Sequence, residues 1–362
     1  MRVLCLNMGS SSFKWSVLGM PQEDLLAQGE EPLEPASASP VELSALRAKA
    51  GSVDAVAHRF VHGGGHFNGA TVIDDGVLES LAAIQSLDPT HTPKALAGVA
   101  AARQAFPEVP QVACFDTAFH GSLAPSAYTY AIPARWTTEW RLRRYGFHGL
   151  SIAYAVRRAS EILGQGAHDL LVCHLGSGSS ITAVRNGCSV DTTMGFTPLE
   201  GLPMATRSGS VDPGLLLYVM REQGLSAAEV ERALEQESGL RGLAGTGDLR
   251  EVLRRADAGD EAAQLAYAIW VAGVRRGFGA MLAALDSLEG VVFTGGIGEH
   301  QPRARKDILA PFAWCGIALD QVSNRDARGD ACLSSNSQRI AVLRIQARED
   351  LTMAREAVAI LA

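Results

Sequence analysis

No run of 18 uncharged apolar residues occurs in this chain, so no segment is expected to span a membrane. Basic charge is not in excess: 32 Lys and Arg stand against 39 Asp and Glu, a formal net charge of −7. No global positive field is therefore available to draw nucleic acid. The six cysteines (Cys5, Cys114, Cys173, Cys188, Cys315 and Cys332) form no C-x-x-C pair and no zinc-knuckle spacing. Cys5 and Cys173 lie in apolar runs, where a free thiol packs as a small hydrophobe, and a reducing cytoplasm is the expected setting. Met1 runs straight into an apolar segment, without the basic region and cleavage site of a secretory leader. Two nucleotide signatures are also missing. G-S-S-S-F-K, from Gly9, lacks the second glycine and the Lys-Ser/Thr ending of a P-loop. G-S-G-S-S, from Gly176, and G-G-I-G-E-H, from Gly295, are not the G-x-G-x-x-G dinucleotide fingerprint. An anionic small substrate would have to be met by individually placed arginines.

What the chain does contain is a repeat. V-L-C-L-N-M-G-S-S-S-F-K-W-S-V-L-G, Val3 to Gly19, is echoed by L-L-V-C-H-L-G-S-G-S-S-I-T-A-V-R-N-G, Leu170 to Gly187. Asn7 falls on His174, an offset of 167 (174 minus 7), and the same offset brings Gly9, Ser10 and Ser12 onto Gly176, Ser177 and Ser179. Apolar strand, Gly-Ser turn and returning strand appear once in each half, as in a duplicated hairpin whose turn amides and hydroxyls can hold phosphate. At 362 residues the length favours two domains. They are expected at 1–117 and 118–351, with a C-terminal helix, about 352–362, packing back on the first.

Along the chain, Pro21 to Pro40 is acidic and proline-bearing and reads as a solvated loop. Val53 to Val61 reads as a core strand and Pro93 to Phe106 as a helix capped by Thr92. Val109 to Phe115 is a buried strand that delivers Asp116 at its end. Ser151 looks like the cap of a helix running to Leu163 and stopped by Gly164. Helices dominate Pro213 to Gln236 and Glu261 to Leu285. Val291 to Phe293 and Ile340 to Ile345 are strands, and a last helix begins near Glu349. Strands alternating with helices around glycine turns give an α/β class with two similar halves. Glycine-rich strand ends recur at Gly9, Gly63 to Gly65, Gly176 to Gly178 and Gly295 to Gly298, which suggests a cleft that wraps a polyphosphate.

Six motifs, in order and spread over nearly the whole chain, carry a family resemblance: N-M-G-S-S-S-F-K, H-R-F-V-H-G-G, F-D-T-A-F-H, R-R-Y-G-F-H-G, D-T-T-M-G-F-T-P-L-E-G-L-P-M-A-T-R-S-G and F-T-G-G-I-G-E. They closely resemble acetate kinase. The resemblance implies duplicated actin-like ATPase (ribonuclease H-like) domains of the sugar-kinase and Hsp70 type, with a nucleotide cleft between them. It implies the reaction of ATP with acetate to give ADP and acetyl phosphate, with magnesium or manganese, in a homodimer formed through the C-terminal domain. Helices such as Glu261 to Leu285 are candidates for that dimer surface.

The chemistry sets its own demands. A carboxylate acceptor titrates near about 4 and is already ionised at pH 7, so no general base is needed. The obstacle is bringing one anion against another, which calls for charge neutralisation and alignment. Arg59 and Arg207, both in turn-rich contexts after apolar segments, suit that task, and the resemblance puts both at the active site. It also assigns Asp116 to positioning, His148 to a phosphoryl contact and His91 to a second active-site histidine. Lys14, Ser10 and Ser12 are implied as supports, and Asn7 and Glu349 as magnesium ligands, Asn7 through water. Val61, Phe147, Pro198 and Thr90 match the acetate pocket. His174, Gly176, Ser177 and Gly178, with Asp248, Leu249 and Arg250 and with Gly295, Gly296, Ile297 and Gly298, match nucleotide contacts. His58, His62 and His66 are spaced by four, but the glycines between the last two exclude a helical metal face, and zinc is not expected.

The chain departs from the family pattern at Met8, Thr90, Ile152, Ser177 and Ser210, and Ala347-Arg348 stands where Thr-Asn is usual before Glu349. It is also short for the family between Gly19 and Ser52. Thr90 makes the acyl pocket less apolar and leaves a propionate or butyrate kinase as one alternative. A nucleotide-responsive module of the same fold, without transferase activity, is another.

Overall fold

The structure, a computed structural model, describes residues 1–8, 12–32, 46–164, 166, 168–335 and 338–362. The opening apolar run forms β1 (Arg2–Met8), buried from Val3 to Leu6 on both faces as a central strand requires. It pairs antiparallel with β2 (Ser12–Gly19) on one side and parallel with β4 (Ala55–Phe60) on the other. With β3 (Asp24–Pro32), β5 (Thr71–Val72) and β6 (Gln111–Phe115) they make a six-stranded sheet of order β3-β2-β1-β4-β6-β5. A second sheet contains β7 (Leu170–Leu175), β8 (Ser179–Arg185), β9 (Cys188–Thr192), β10 (Gly290–Thr294), β11 (Ala331–Cys332) and β12 (Ala341–Arg344). Its order is β11-β12-β10-β7-β8-β9. Read from the outer strand of the meander, both sheets run third, second, first, then two parallel crossovers and a short antiparallel edge. The sequence repeat is thus a repeat of topology. Its hairpins differ slightly: Met8 pairs with Phe13, whereas Leu175 pairs with Ser179, one residue earlier than the offset of 167 would give.

The chain divides into two compact units: residues Met1–Gly121, Phe147–Tyr154 and Arg348–Ala362, and residues Ser122–Gly146 and Ala155–Ala347. In the first, the helix Thr92–Ala105 packs on β4 and β1, and the C-terminal helix Glu349–Leu361 packs on β1, β4 and β6. In the second, the helix Glu261–Leu282 lies in the core through Ala266, Trp270, Val274 and Phe278. Its inward face is used within the chain, and its other face, which includes Leu265, is exposed. The helix Pro213–Glu222 buries none of its residues and shows Leu215, Leu217, Tyr218 and Met220 to solvent. Among the described residues, no helix is long and apolar enough to cross a membrane.

Three local expectations are corrected, and one, of helices over Pro213 to Gln236, is borne out by two of them. Pro21 to Pro40 is not all loop, because residues 24–32 form β3 against β2; an exposed edge strand tolerates the Glu-rich sequence that reads as solvated. The helix expected from Pro93 begins at Thr92 with His91 as its cap residue, and Thr92 is buried. The Pro213 to Gln236 stretch breaks at Gly224, φ 72°, and restarts at Ser226, which forms a reciprocal capping box with Glu229. The helix expected from Ser151 begins at Gly149, because its amide donates to Asp116 O at 2.7 Å and draws the backbone in.

A β-carbon on Gly149 would lie 2.2 Å from Asp116 O and 3.0 Å from Phe119 Cβ. Gly149→Ala must therefore push two backbone segments apart, and overpacking of this kind costs about 1–3 kcal/mol or more. A fall of several degrees in the melting temperature is expected by thermal shift; an unchanged transition would mean that the approach is not a constraint.

Candidate active site

In the first unit, β1, β4 and β6 end side by side. Asn7 lies on β1, Arg59 on β4, and Asp116 directly follows β6. Arg59 Nη2 donates to Asp116 Oδ2 at 2.5 Å and Nε to Oδ1 at 3.2 Å, a bidentate pairing that fixes the plane of the guanidinium. Arg59 Nη1 donates to Asn7 Oδ1 at 3.0 Å, Asn7 Nδ2 donates to Glu349 Oε2 at 3.1 Å, and Arg59 Nε lies 3.6 Å from the same carboxylate oxygen. Glu349 opens the C-terminal helix, where the helix dipole favours a carboxylate. Two carboxylates thus share one guanidinium and carry a net charge of about −1 in a largely buried place.

Burial and that imbalance together act on the carboxyl of Asp116. Burial raises its carboxyl, Arg59 pulls it back and Glu349 pushes it up again, from an ordinary 3.8 to about 6. For Arg59, burial opposes the charge, but Asp116 first and Glu349 second outweigh it and raise its pKa. Excess buried negative charge on oxygen donors is what a hard divalent cation relieves. Among the described residues, no three His, Cys, Asp or Glu side chains are grouped to cage a metal ion alone. A site of this kind suits magnesium, which keeps most of its waters or takes substrate phosphates, better than an all-protein cage.

Around this cluster stand His91 and Asp88, whose Oδ1 lies 2.9 Å from His91 Nδ1. His62 is buried with its ring edge-on to Phe147. Its Nδ1 accepts from Gly64 N at 2.8 Å, so a neutral ring carries its proton on Nε2. His148 holds φ at 62°, a left-handed conformation that costs a non-glycine residue energy and clusters at functional sites. It sits between Phe147, whose carbonyl takes His120 Nε2 at 3.0 Å, and Gly149, bonded to Asp116. Val61 and Phe147 are buried, Thr90 is exposed, and Lys14 is exposed on β2 with its backbone paired to Asn7. Ser10 lies outside the described residues, as does the side chain of Ser12. His58 belongs to the core: Nε2 shares a 2.7 Å hydrogen bond with Gln111 Oε1, and burial lowers its pKa to about 4. Met8 packs on Gly98, so the larger residue there is matched by a missing side chain.

In the second unit, the glycine turns converge on the ends of β7 and β10. His174 pairs with Thr294, and Gly176 N donates to Gly178 O at 2.9 Å. Gly295 has φ 77°, and a β-carbon there would lie 2.8 Å from Leu175 O and 3.2 Å from His174 Nε2. Gly296, Ile297 and Gly298 continue in a short helix, which Arg305 holds by donating to Gly298 O at 2.7 Å. Ser177 O accepts from Ala205 N at 3.2 Å, and Gly247 approaches Ala205. Asp248 caps its helix and pairs with Arg250 at 2.7 Å, while Leu249 is buried in the core.

The loop of Asp191 to Gly209 carries Pro198 and Arg207, and its shape is held at several points. Arg207 Nη1 lies 3.4 Å from Pro198 O, and Arg207 O accepts from Met204 N at 3.0 Å. Ser210 Oγ accepts from Gly201 N at 3.0 Å, so this departure from the family pattern still ties the loop closed. Glu200 takes both Tyr130 Oη and, at 3.0 Å, Arg144 Nη2, and Tyr130 Oη accepts from Phe196 N at 2.8 Å. Sequence reasoning missed this Tyr130–Arg144–Glu200 support, and also Asp88 and His120. The only advance signal was that three of the five sit inside motifs already quoted.

A carboxyl held above its ordinary value binds its proton more tightly in the folded chain. Its stabilising contribution is full below about 4 and is lost as pH rises through about 6. Asp116→Asn escapes that loss, so its melting temperature relative to the native chain should climb between pH 5 and 7.5. A difference that stays flat across that range would overturn the assignment of burial as the cause.

Comparison with known proteins bears on this arrangement. Residues 37–355 match the model of the acetokinase family. The chain is 41% identical over 389 residues to the acetate kinase of Clavibacter michiganensis subsp. michiganensis, covering 99% of this chain and 98% of that one. Its fold matches the crystal structure of Porphyromonas gingivalis acetate kinase at a TM-score of 0.91, with 34% identity and full coverage of both chains. A propionate kinase from Francisella tularensis subsp. tularensis matches at 0.91 and 35% identity, covering 98% of each chain. The duplicated α/β architecture is common to them, and the chain belongs to the acetokinase family.

Proposed function

We propose that this protein transfers the γ-phosphoryl group of ATP to the carboxylate of acetate, giving acetyl phosphate and ADP. The observation that carries the reading is Arg59, whose guanidinium is fixed by Asp116, Asn7 and Glu349 from three separate elements in a protein of the acetokinase family. An acetate oxygen attacks the γ-phosphorus as the bond to the bridging oxygen of ADP breaks. No proton moves, because the acceptor is already ionised. The work of the site is to hold charge and geometry. Arg59 and Arg207 neutralise the transferring group, His148 and His91 donate to its oxygens, and Asp116 keeps the guanidinium of Arg59 in plane. Lys14, Ser10 and Ser12 support the phosphates. Val61, Phe147, Pro198 and Thr90 bound the methyl group.

Magnesium would be held by Glu349 with Asn7, and when bound supplies charge neutralisation on the nucleotide phosphates. The glycine turns at Gly176 and Gly295, with His174, Ser177 and the Asp248–Arg250 segment, hold the nucleotide. Close backbone approach there suits an anionic chain. The setting is a reducing cytoplasm, consistent with six unpaired cysteines. The assembly is a homodimer in which a second copy covers Leu215, Leu217, Tyr218 and Met220, exposed apolar residues of one helix.

A second reading, propionate, is favoured by the likeness to the Francisella propionate kinase. One methylene is worth about 1–3 kcal/mol, so propionate should be a weaker substrate rather than an excluded one. Acyl phosphate trapped with hydroxylamine, using acetate, propionate, butyrate or no acid, decides among these readings. Acetate should give the highest kcat/KM. ATP hydrolysis without trapped product would overturn the kinase reading.

Arg59→Ala and Arg207→Ala should each lower kcat on the order of 10³- to 10⁵-fold, about 4–7 kcal/mol of transition-state stabilisation. Native turnover in either would remove that arginine from the site. Leu217→Glu should shift the mass measured by light scattering from dimer to monomer; an unchanged mass would place the dimer surface elsewhere.

A further inference from the structure

Two of the motifs meet inside the first unit: F-D-T-A-F-H, which ends in His120, and the F-H-G of residues 147–149. Two hydrogen bonds lace them together. Gly149 N donates to Asp116 O at 2.7 Å, and His120 Nε2 lies 3.0 Å from Phe147 O. A carbonyl only accepts, so His120 Nε2 carries a proton whether the ring is neutral or charged. The two bonds fall on the residues immediately before and after His148, the residue held at φ 62°. Little slack is left around them. His120 is 0% exposed and Phe147 1%, the Phe119 and His120 rings meet at 83°, and a β-carbon on Gly149 would lie 3.0 Å from Phe119 Cβ.

We propose that His120 is a positioning residue for the phosphoryl transfer: by holding the Phe147 carbonyl it keeps the backbone of His148 left-handed, and so sets where the His148 ring stands relative to Asp116 and Arg59. The proposal rests on the role given to His148 in the proposed function. Peptide groups are planar, so fixing the φ and ψ of one residue takes a hold on the plane at each side of it. The plane after His148 is held twice, by Gly149 N on Asp116 O and by Ile152 N on His148 O at 2.9 Å. The plane before it is held at Phe147 O by His120. A left-handed backbone costs a non-glycine residue free energy and persists only where its surroundings impose it. Release of the Phe147 carbonyl lets that plane turn towards the ordinary β or right-handed region, and the ring of His148 moves with it.

A plainer account is that a buried imidazole needs an acceptor and takes the nearest carbonyl. That accounts for the bond but not for its place, on the peptide group adjoining a strained residue of the site. The same short segment also begins with Asp116, whose carboxylate holds Arg59. One turn therefore carries the group that orients Arg59 at one end and the group that sets His148 at the other. On the plainer account, losing the donor costs stability alone. As a positioning residue, His120 acts on the rate through His148, and a displacement of about 1 Å at a site is worth about 10²-fold.

The test is a double-mutant cycle on the full-length protein, read by kcat and by crystal structures that report φ at residue 148. His120→Leu fills similar volume without a donor. It should lower kcat about 10²-fold and take residue 148 out of the left-handed region. In a His148→Ala background the same substitution should change kcat by less than about twofold, because the group it positions is gone. His120→Gln, which keeps an N–H, should hold φ near 62° and most of kcat. It carries the test if the leucine variant does not fold, a fall in kcat with φ unchanged then overturning the proposal. A residue 148 that stays left-handed in His120→Leu overturns it, as does an equal fall in kcat in the two backgrounds. Native kcat in His148→Ala would instead overturn the role of His148 in the reaction, and φ at residue 148 in His120→Leu would then decide the backbone hold by itself.

Discussion

Burying a guanidinium between two carboxylates, when only one of them can be neutralised, is the constraint on which the first unit depends. Arg59, Asp116 and Glu349 leave about one negative charge uncompensated, and burial first, with Glu349 adding to it, raises the Asp116 carboxyl to about 6. In a purely structural ion pair such an imbalance would be a defect, because apolar residues of similar volume are often as stable. Here it is confined to the ends of three adjacent strands and the first turn of one helix. An arginine held in this way is aligned before a substrate arrives, so little ordering is left for the reaction to require.

The backbone carries as much of the design as the side chains. Gly149 brings the helix start to within a hydrogen bond of Asp116 O, and that contact leaves His148 in a left-handed conformation. The strained histidine and the buried carboxylate therefore share one piece of main chain. A side chain at residue 149 would separate them before it altered any chemistry. In the second unit, Gly295 does the same for His174: no β-carbon fits between it and Leu175 O. Glu200 presses against the bare backbone of Gly195, where a β-carbon would lie 1.6 Å from its Oε2. That contact lets Tyr130 and Arg144 clamp the loop that carries Arg207.

Much of this could be read from the chain itself. Val3 to Leu6 and Leu170 to Cys173 are continuous apolar runs because their strands are buried on both faces, and the repeat between them exposed the duplicated topology. What escaped was information held in tertiary contacts. Residues 24–32 looked solvated because an edge strand is half solvated; only its pairing with β2 makes it a strand. Trp15 accounts for part of that pairing, since a β-carbon at Gly29 would lie 2.7 Å from its Nε1. Glu261 to Leu282 reads as a helix in the sequence, but that one face of it is core, set against the helix Leu249–Asp257 and the second sheet, shows only in the contacts. Asp88 escaped for a different reason. An acidic residue three positions before a histidine at a helix start is what capping alone would produce, and only the ring contact and the burial separate the two cases.

The duplication also explains a division of labour. Equivalent strands end differently in the two units. The first strand carries Asn7 in one and His174 in the other, and the fourth carries Arg59 in one and runs into Thr294 and the Gly295-Gly296 turn in the other. Side chains at a strand end can neutralise charge that develops in one place. A bare glycine backbone cannot, but it admits a chain of phosphates closely and offers amides along its length. One topology thus ends in a cluster of charged side chains in the first unit and in bare glycine turns in the second. In the proposed function the two tasks differ in geometry, a single transferring group against a polyphosphate. A duplicated sheet can meet both only if the copies diverge at these positions and stay alike in the strands behind them, where Leu4 and Leu171 remain equally buried.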